Sequence, residues 1–304
     1  MASYLDFEAY YNGSWMPYSK IMISPDDRGF MLSDAVFDVG RTFNGVPFRW
    51  EDHVDRLFRS LKYIDLDPGL SQDQIVELGY EAVERNRTHL GEVPDFIISC
   101  FVTRGLGVES IRDAGPHNVC VNVKPISCAT FARFFEHGAH GIIARTRSYP
   151  VESMDPKLKH YSRLNFVLAD IEVSNIDPTA SPILLDTNGN VTEGNAFNIF
   201  TVTDGKIKTP KGDNILQGVT RQVVMELADA MGNPVVEADL QPYDLYTADE
   251  VFFTRTTPRI IPVSRIDNRP VGDRFPGLIT EQLLAAHSDL VGLDIVDQIR
   301  THAS

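Results

Sequence analysis

Two lysines separated by a single residue, Lys157 and Lys159, lie in the segment DPKLKHYSRLN over residues 155–165. A lysine amine becomes a nucleophile or a proton carrier only when burial or a neighbouring cation allows it to lose its proton near neutral pH. Both lysines precede the same predicted amphipathic helix, so the local pattern does not separate them. The segment therefore offers one candidate reactive amine and two residues that could supply it.

A candidate phosphate site lies in LQGVTRQVV, where Val219 and Thr220 follow a glycine at the start of a predicted helix. A helix N-terminus offers free N–H groups and a partial positive charge, and the threonine adds a hydroxyl donor. A second hydroxyl-rich segment, TRTTP, supplies Thr256 and Thr257. On pattern alone, helix capping and turn formation without a ligand are favoured for both segments.

Two charged residues could also contact a ligand, although the local pattern places both in solvent. The helical period of residues 53–63 puts Arg56 opposite the apolar stripe, which predicts a solvated side chain. Glu193 follows a turn in NVTEGNAFNIF, and an acid beside glycine in a loop usually faces water. Its alternative role is to pair with a cationic nitrogen of a ligand.

Composition and charge exclude several classes of function. The chain of 304 residues carries a net charge of −14, which argues against a nucleic-acid partner because phosphate contacts need a basic face. Its hydrophobic content of 43% is ordinary for a globular protein that needs no disulfides. No signal peptide and no apolar run of about 18 residues is found, so the sequence predicts a cytoplasmic protein without a membrane partner.

The cysteines and the motif search add no metal and no nucleotide site. Cys100, Cys120 and Cys128 lie in or beside apolar segments, and their odd number is typical of buried reduced thiols. No Cys–Cys or Cys–His spacing matches a zinc site, so no metal is predicted. The sequence also lacks a complete GxGxxG motif, a P-loop, a GxSxG elbow and an HExxH motif.

Strands and helices mix along the chain. Asn12-Gly13 and Asp204-Gly205 predict tight hairpin turns, and Ser71 with Gln74 predicts a capping box that starts a helix. The main predicted helices are 53–63, a helix from 71, 162–173, 219–231 and 278–286. Frequent hairpins favour an α+β (mixed α/β) fold over a doubly wound parallel sheet.

Proline and small residues in KPISCATFARF predict a connection between two domains. The predicted limits are residues 1–125 for a smaller N-terminal α/β domain, 126–134 for the linker and 135–304 for a larger C-terminal domain that carries the reactive lysine.

Eight segments, taken in order, resemble the class IV aminotransferases, which are the fold type IV pyridoxal-phosphate enzymes. They are YYNGSW, SPDDRGFMLSDAVFDV, FRWEDHVDRL, VTRGL, DPKLKHY, VTEGNAFNIF, LQGVTR and FFTRTTPRIIPV. The resemblance covers residues 9–290. It implies two domains, a pyridoxal 5'-phosphate cofactor in the cleft between them, and a homodimer.

The resemblance also assigns roles to the candidate residues. Lys159 matches the Schiff-base lysine, since the family's lysine often stands ten residues before a small residue, here Ala169. It implies that Arg56 holds the cofactor phosphate from inside a cleft, which reverses the prediction of a solvated side chain. Glu193 would pair with the pyridine nitrogen. The remaining phosphate contacts would come from Val219, Thr220, and Thr256 or Thr257.

The resemblance defines the substrate less closely. SDAVFDV, VTRGL and DPKLK look most like the (R)-selective amine transaminases, with the D-amino-acid transaminases nearby. We therefore predict amino transfer from an (R)-amine or a D-amino acid to a 2-keto acid such as pyruvate or 2-oxoglutarate. Branched-chain L-amino-acid transamination and aminodeoxychorismate lyase activity are the alternatives on the same fold.

Several residues are candidates for contacting the substrate. Phe37 and Arg41 resemble the pattern of the branched-chain enzymes. Arg41, Arg104 and Arg112 could each grip a substrate carboxylate or form a structural ion pair. Arg255 and Arg259 depart from the pattern of many relatives, which have smaller or acidic residues there.

Overall fold

A computed structural model describes residues 4–107 and 115–303. The chain divides into two compact units. Unit 1 comprises Met1–Ile126 with Leu158–Ser162, and unit 2 comprises Ser127–Lys157 with Arg163–Ser304. Both units contain strands and helices, which confirms the mixed α+β class. The division differs from the predicted domain limits, because the short segment Leu158–Ser162, which contains Lys159, belongs to unit 1 and not to unit 2.

Unit 1 is built on a six-stranded antiparallel sheet. Its strands are β1 (Glu8–Tyr11), β2 (Ser14–Pro17), β3 (Ala35–Phe43), β4 (Val46–Phe48), β5 (Phe96–Thr103) and β6 (Asn118–Pro125). They lie in the order β2-β1-β6-β5-β3-β4. The predicted hairpin turn joins β1 and β2, where Asn12 and Gly13 have φ of 48° and 89°. Two left-handed residues in succession match the twist of the flanking strands.

The helices of unit 1 are α1 (Arg28–Leu32), α2 (Trp50–Tyr63) and α3 (Gln72–Arg85). The predicted capping box of Ser71 and Gln74 starts α3. Trp50 is fully buried in the core, and α3 passes so close to it that a Cβ on Gly79 would lie 2.0 Å from the indole Nε1. Glycine is therefore required inside this helix, although it lowers the intrinsic helix propensity.

Unit 2 is built on a nine-stranded mixed sheet. Its strands are β7 (Ala139–Arg147), β8 (Ser181–Leu185), β9 (Val191–Gly194), β10 (Asn198–Thr203), β11 (Lys206–Pro210), β12 (Val236–Ala238), β13 (Glu250–Arg255), β14 (Arg259–Ile266) and β15 (Arg269–Pro270). The path runs β12-β11-β10-β13-β14-β7-β8-β9, and β15 pairs with β14. The predicted hairpin of β10 and β11 is confirmed.

The helices of unit 2 are α4 (Ala129–His137), α5 (Leu164–Ser174), α6 (Val219–Ala230), α7 (Pro242–Tyr246), α8 (Leu278–Val291) and α9 (Ile295–Thr301). Three of them, α5, α6 and α8, were predicted. Most of α4 lies inside the predicted linker over 126–134, where Phe131, Phe134 and Phe135 are buried. Two of the small residues there, Ala129 and Ala132, are strong helix formers and lie in α4. No helix in the described parts of the chain is long and apolar enough to cross a lipid bilayer.

The prediction of buried reduced thiols is confirmed, since Cys100, Cys120 and Cys128 are all free and buried. Burial raises the pKa of Cys120 to about 12. A thiol with a raised pKa is a poor nucleophile, so these cysteines belong to the packing of the core.

Candidate active site

Lys159 is held against β3 and α2 within unit 1. The Phe37 N–H donates to the Lys159 carbonyl at 3.1 Å, and the Lys159 N–H donates to Ser60 Oγ at 3.2 Å. The Lys159 Nζ atom lies 4.8 Å from the centre of the Phe37 ring. The backbone around the amine is therefore fixed from both sides, and its side chain lies along an aromatic face.

Lys157 has different surroundings. Its Nζ atom lies 2.9 Å from the Asp155 carboxylate and donates to the Asp213 carbonyl at 3.1 Å. The contacts thus distinguish the two lysines that the sequence pattern left equal, because Lys157 forms an ion pair with Asp155.

An aromatic pair lies next to Lys159. The rings of Phe37 and Tyr161 stack with centroids 4.4 Å apart, and the Tyr161 N–H donates to the Ala35 carbonyl at 3.2 Å. Burial raises the pKa of Tyr161 well above its usual value. This phenol therefore stays neutral at physiological pH. Sequence reasoning singled out Phe37 and missed Tyr161, although it lies only two residues after the lysine.

Arg56 is buried, with 4% of its surface exposed. The helical-period prediction of a solvated side chain is therefore wrong, and the burial agrees with what the resemblance implied. Its Nε and Nη2 atoms each donate at 2.8 Å to the carboxylate of Asp38, which lies 2.7 Å from His53 Nδ1. Burial would raise the pKa of Asp38, but Arg56 and His53 outweigh it and hold that pKa well below its usual range.

Sequence reasoning missed this acid and its histidine. Asp38 lies inside β3 and is fully buried, so it had to have a cationic partner in the fold. An acid in an otherwise apolar strand was the available signal. The pair shows why the helical period gave the wrong prediction for Arg56: a cation can be buried when a buried carboxylate balances its charge.

The arginines predicted to contact substrate are engaged within unit 1 or lie outside the described residues. Arg104 donates to Asp34 at 2.7 Å and to the carbonyls of Ile64 and Asp65 at 2.6 and 3.0 Å. Arg41 is buried, and its guanidinium lies 3.9 Å from the centre of the Phe43 ring. Arg112 lies outside the described residues. Arg104 thus has the structural ion pair that the sequence left open.

In unit 2 the start of α6 has the features of an anion site. Gly218 caps the helix without a side-chain hydrogen bond, and Val219 and Thr220 follow in the first turn. Both side chains are buried. The Thr220 hydroxyl has no hydrogen-bond partner among the described residues. A buried hydroxyl without a partner costs free energy, so its presence beside free helix N–H groups favours a bound anion.

Glu193 ends up close to this helix start. It is buried in β9, and its Oε2 atom accepts from Asn198 Nδ2 at 3.4 Å. The same Nδ2 atom donates to the Leu216 carbonyl at 2.9 Å. A Cβ on Gly218 would lie 2.2 Å from Asn198 Oδ1, so only glycine allows this approach. The prediction that Glu193 faces water from a loop is therefore wrong.

The threonine segment connects β13 to β14. Thr257 is buried, and the Thr256 carbonyl accepts from Arg259 Nη1 at 3.2 Å. Arg259 Nε donates to His287 Nε2 at 2.8 Å, which holds this arginine in the core of unit 2. Thr254, which sequence reasoning did not consider separately, is also buried, and its hydroxyl has no partner among the described residues.

These groups fit a cofactor that carries a phosphate and a ring nitrogen. The helix start at Thr220 offers donors to a phosphate, and Glu193 is an acid that could accept from a ring N–H. A guanidinium such as that of Arg56, whose Nε and Nη2 atoms are oriented by Asp38, is also of the chemical type that binds phosphate. Lys159 adds an amine held on an aromatic face. Unit 2 thus offers phosphate donors and an acid, and unit 1 offers an amine and a guanidinium, which are the kinds of group that amine chemistry with such a cofactor needs.

Comparisons with known proteins place the chain among aminotransferases. The family model described as amino-transferase class IV matches residues 35–266. A relative in Methanocaldococcus jannaschii, named provisionally as a branched-chain-amino-acid aminotransferase, is 34% identical over 287 residues, covering 92% of this chain and 95% of its own. The D-alanine aminotransferase of Listeria monocytogenes is 33% identical over 262 residues, covering 85% and 87%.

Solved structures agree with these relatives. The branched-chain aminotransferase of the thermophilic archaeon Thermoproteus uzoniensis, with norvaline, has a TM-score of 0.83 at 27% identity, with 94% of this chain and 95% of its own covered. A further branched-chain amino acid aminotransferase, complexed with N-(5'-phosphopyridoxyl)-L-glutamate, has a TM-score of 0.82 at 27% identity, with 94% of each chain covered.

Proposed function

Because this chain belongs to the class IV aminotransferases, we propose that it transfers amino groups with pyridoxal 5'-phosphate bound by Arg56, Glu193, Val219, Thr220, Thr256 and Thr257, and with Lys159 as its catalytic amine. The observation that carries the proposal is the buried Thr220 hydroxyl, which has no partner in the described chain and lies at a glycine-started helix. A phosphate would satisfy that hydroxyl and the helix N–H groups at once.

When bound, pyridoxal phosphate supplies an aldehyde that accepts an amino group and a ring that takes up the electrons released when a C–H bond breaks. The chain's own residues bind, orient and move protons. Arg56 and the α6 N-terminus would bind the phosphate, and the carboxylate of Glu193 would accept a hydrogen bond from the ring N–H and keep that nitrogen protonated.

Lys159 would hold the cofactor through its Nζ atom. The same amine would act as a general base that takes a proton from the substrate carbon and as a general acid that gives a proton back to a carbon atom. The contacts with Phe37 and Ser60 fix the lysine segment, so the amine stays in reach of the reacting atoms. With a keto acid as the amino acceptor, the same proton transfers would occur in reverse order.

Borohydride reduction followed by peptide mapping tests the assignment. The label should lie on Lys159, and Lys159→Ala should remove both turnover and the visible absorbance of the purified protein. Lys157→Ala is the matched control and should keep both, because its ion pair with Asp155 gives it a structural role. A label on Lys157, or a protein that takes up no pyridoxal phosphate, would contradict the proposal.

As amino donor we propose a D-amino acid or an (R)-amine, with pyruvate or 2-oxoglutarate as acceptor. Support comes from the segments SDAVFDV, VTRGL and DPKLK and from the 33% identity to a D-alanine aminotransferase. Branched-chain L-amino acids are the second candidate, supported by the 34% identity to the relative in Methanocaldococcus jannaschii.

Steady-state assays separate these donors. D-alanine, L-leucine and the two enantiomers of 1-phenylethylamine are each tested against both keto acids. Rapid L-leucine turnover without activity on D-alanine or the (R)-amine would select the second candidate. Release of pyruvate from aminodeoxychorismate without any acceptor would select a lyase. The homodimer that the resemblance implies stays a prediction, which the mass of the protein in solution would test.

A further inference from the structure

Two arginines of unit 2, Arg163 and Arg255, lie half-buried against aromatic rings. Arg163 stands directly before α5, and its guanidinium carbon lies 4.3 Å from the centre of the Phe166 ring. Arg255 ends β13, and its guanidinium carbon lies 5.2 Å from the centre of the Phe131 ring. Aromatic faces attract a cation but do not neutralise it, so both positive charges persist in a partly desolvated place.

The strand pairing brings the two arginines to the same part of unit 2. Arg163 Nη2 donates to the carbonyl of Asn195, in the turn that leads into β10. The first residue of that strand, Asn198, pairs with Thr254, and Arg255 follows directly. Burial and then the charge of Arg163 lower the pKa of Arg255, which agrees with the placement given by these contacts.

Neither of these arginines forms an ion pair with a carboxylate among the residues that the structure describes. Other arginines of unit 2 do: Arg221 with Glu237, Arg265 with Asp177, and Arg274 with Glu281. Burial lowers the pKa of Arg163, and the nearby charge of Glu193 opposes that shift. Two cations beside one acid leave an unbalanced positive charge.

That acid, Glu193, has a separate role in the proposed function, where it accepts a hydrogen bond from the ring N–H of the cofactor. The arginines would then keep no internal counter-charge. Two half-buried guanidinium groups without a carboxylate partner in the described chain need an acceptor with negative charge, and a carboxylate suits the planar fork of arginine.

We propose that Arg163 and Arg255 together bind a carboxylate of the substrate. The identification of the anion as substrate rests on the proposed function. The pair makes the enzyme selective for amino acids and keto acids over amines that lack a carboxylate.

Calorimetric titration of the pyridoxal-phosphate-loaded protein tests the pair without turnover. The probe is 4-methylvalerate, which has no amine to transfer, and its uncharged counterpart is 4-methylvaleramide. The wild type should bind the carboxylate and not the amide. Arg255→Gln and Arg163→Gln should each weaken carboxylate binding about 10- to 100-fold, the range for hydrogen bonds to charged groups. Arg265→Gln, a matched change at an exposed paired arginine, should leave it unchanged.

Thermal unfolding without the carboxylate distinguishes binding from a structural role. Removing one of two repelling cations should leave the melting temperature unchanged or raise it. Arg255→Lys keeps the charge but not the fork, so it should restore only part of the lost affinity. Unchanged carboxylate affinity in Arg255→Gln overturns the proposal. A lower melting temperature in both Gln variants, together with lost binding, also overturns it, because the arginines would then be structural.

Steady-state kinetics connects the pair to the substrate. In Arg255→Gln, kcat/KM for D-alanine or L-leucine should fall at least as far as the carboxylate affinity, while kcat/KM for 1-phenylethylamine should change less than about threefold. Equal losses for both donor classes would show that the pair does not contact the substrate carboxylate. Failure of the proposed function is distinct: borohydride would then leave Lys159 unlabelled, although the carboxylate could still bind through Arg255.

Discussion

Two arginine environments in this molecule contrast with each other. Arg56 in unit 1 is buried and meets Asp38 through two hydrogen bonds of 2.8 Å. Arg163 and Arg255 in unit 2 are half-buried and meet backbone and aromatic rings, with no carboxylate partner in the described chain. The carboxylate of Asp38 balances the charge of Arg56 inside unit 1 and holds its side chain in a fixed orientation. The second needs an external anion, as expected of groups kept for a ligand.

The hydroxyl groups of unit 2 repeat this contrast. Thr192 is buried, donates to the Leu184 carbonyl at 2.9 Å and lies 2.6 Å from Ser148 Oγ. Thr220 is buried as well, but its hydroxyl has no partner among the described residues. Polar groups that are satisfied internally stabilise the empty protein, whereas unsatisfied ones lower its stability and gain when a ligand binds. Substitutions at each kind of site should therefore differ in sign or size.

The largest effect on stability is expected at the buried ion pair of Asp38 and Arg56. Asp38→Asn leaves the buried cation of Arg56 without its counter-charge, which should lower the free energy of unfolding at pH 7 by about 3–5 kcal/mol. Because the pKa of Asp38 is lowered in the folded protein, its stabilisation is present above about pH 4, the usual value for the unfolded chain, and is lost as pH falls further. The difference between variant and wild type should therefore shrink below about pH 4 in urea titrations.

An exposed ion pair provides the control for that prediction. Asp55 pairs with Arg59 on the surface of α2, and about half of each side chain is accessible. Asp55→Asn should cost less than about 1 kcal/mol, since solvent screens such a pair. Equal losses of unfolding free energy in Asp38→Asn and Asp55→Asn would contradict the distinction between a buried and a solvated ion pair.

A medium effect should separate the two threonines. Thr192→Val leaves the buried Leu184 carbonyl without its donor and should lower the free energy of unfolding by about 1–3 kcal/mol. Thr220→Val removes a hydroxyl that has no partner in the described chain, so the cofactor-free protein should keep its stability or gain slightly. Chemical denaturation of both cofactor-free variants measures the difference.

Adding pyridoxal phosphate should reverse the effect of Thr220→Val, so that the variant becomes less stable than the wild type. The variant should bind the cofactor about tenfold more weakly and show a smaller rise in melting temperature than wild type at the same concentration. Cofactor affinity equal to that of wild type would mean that the hydroxyl at the start of α6 does not meet the phosphate.

The smallest effect concerns paired and unpaired arginines. Arg221 donates to Glu237 at 2.5 Å and to the Pro210 carbonyl at 3.0 Å, so Arg221→Gln should cost about 1 kcal/mol of stability. Arg255→Gln should cost nothing in the ligand-free protein, because it relieves the repulsion with Arg163. Melting curves of the two variants, recorded without a carboxylate, check the sign. A clear loss for Arg255→Gln would place it with the paired arginines.

The sequence by itself determined features that depend on neighbouring residues. Asn12-Gly13 and Asp204-Gly205 formed hairpin turns because two left-handed residues in succession match the twist of paired strands. The capping box of Ser71 and the start of α6 followed from hydrogen bonds that span only three or four residues. The order of eight segments indicated the family for a similar reason, since each segment is a local pattern.

Only the tertiary structure decided which polar groups are satisfied. The partner of Arg56 lies 18 residues away on another element. The two lysines differ because Lys157 contacts Asp213, 56 residues further along the chain, whereas Lys159 lies on the ring of Phe37. Helical periodicity assigns charged side chains to solvent because it contains no information about distant partners. The pairing of buried charges, and the arginines left without a carboxylate, arise when strands far apart in the chain come together.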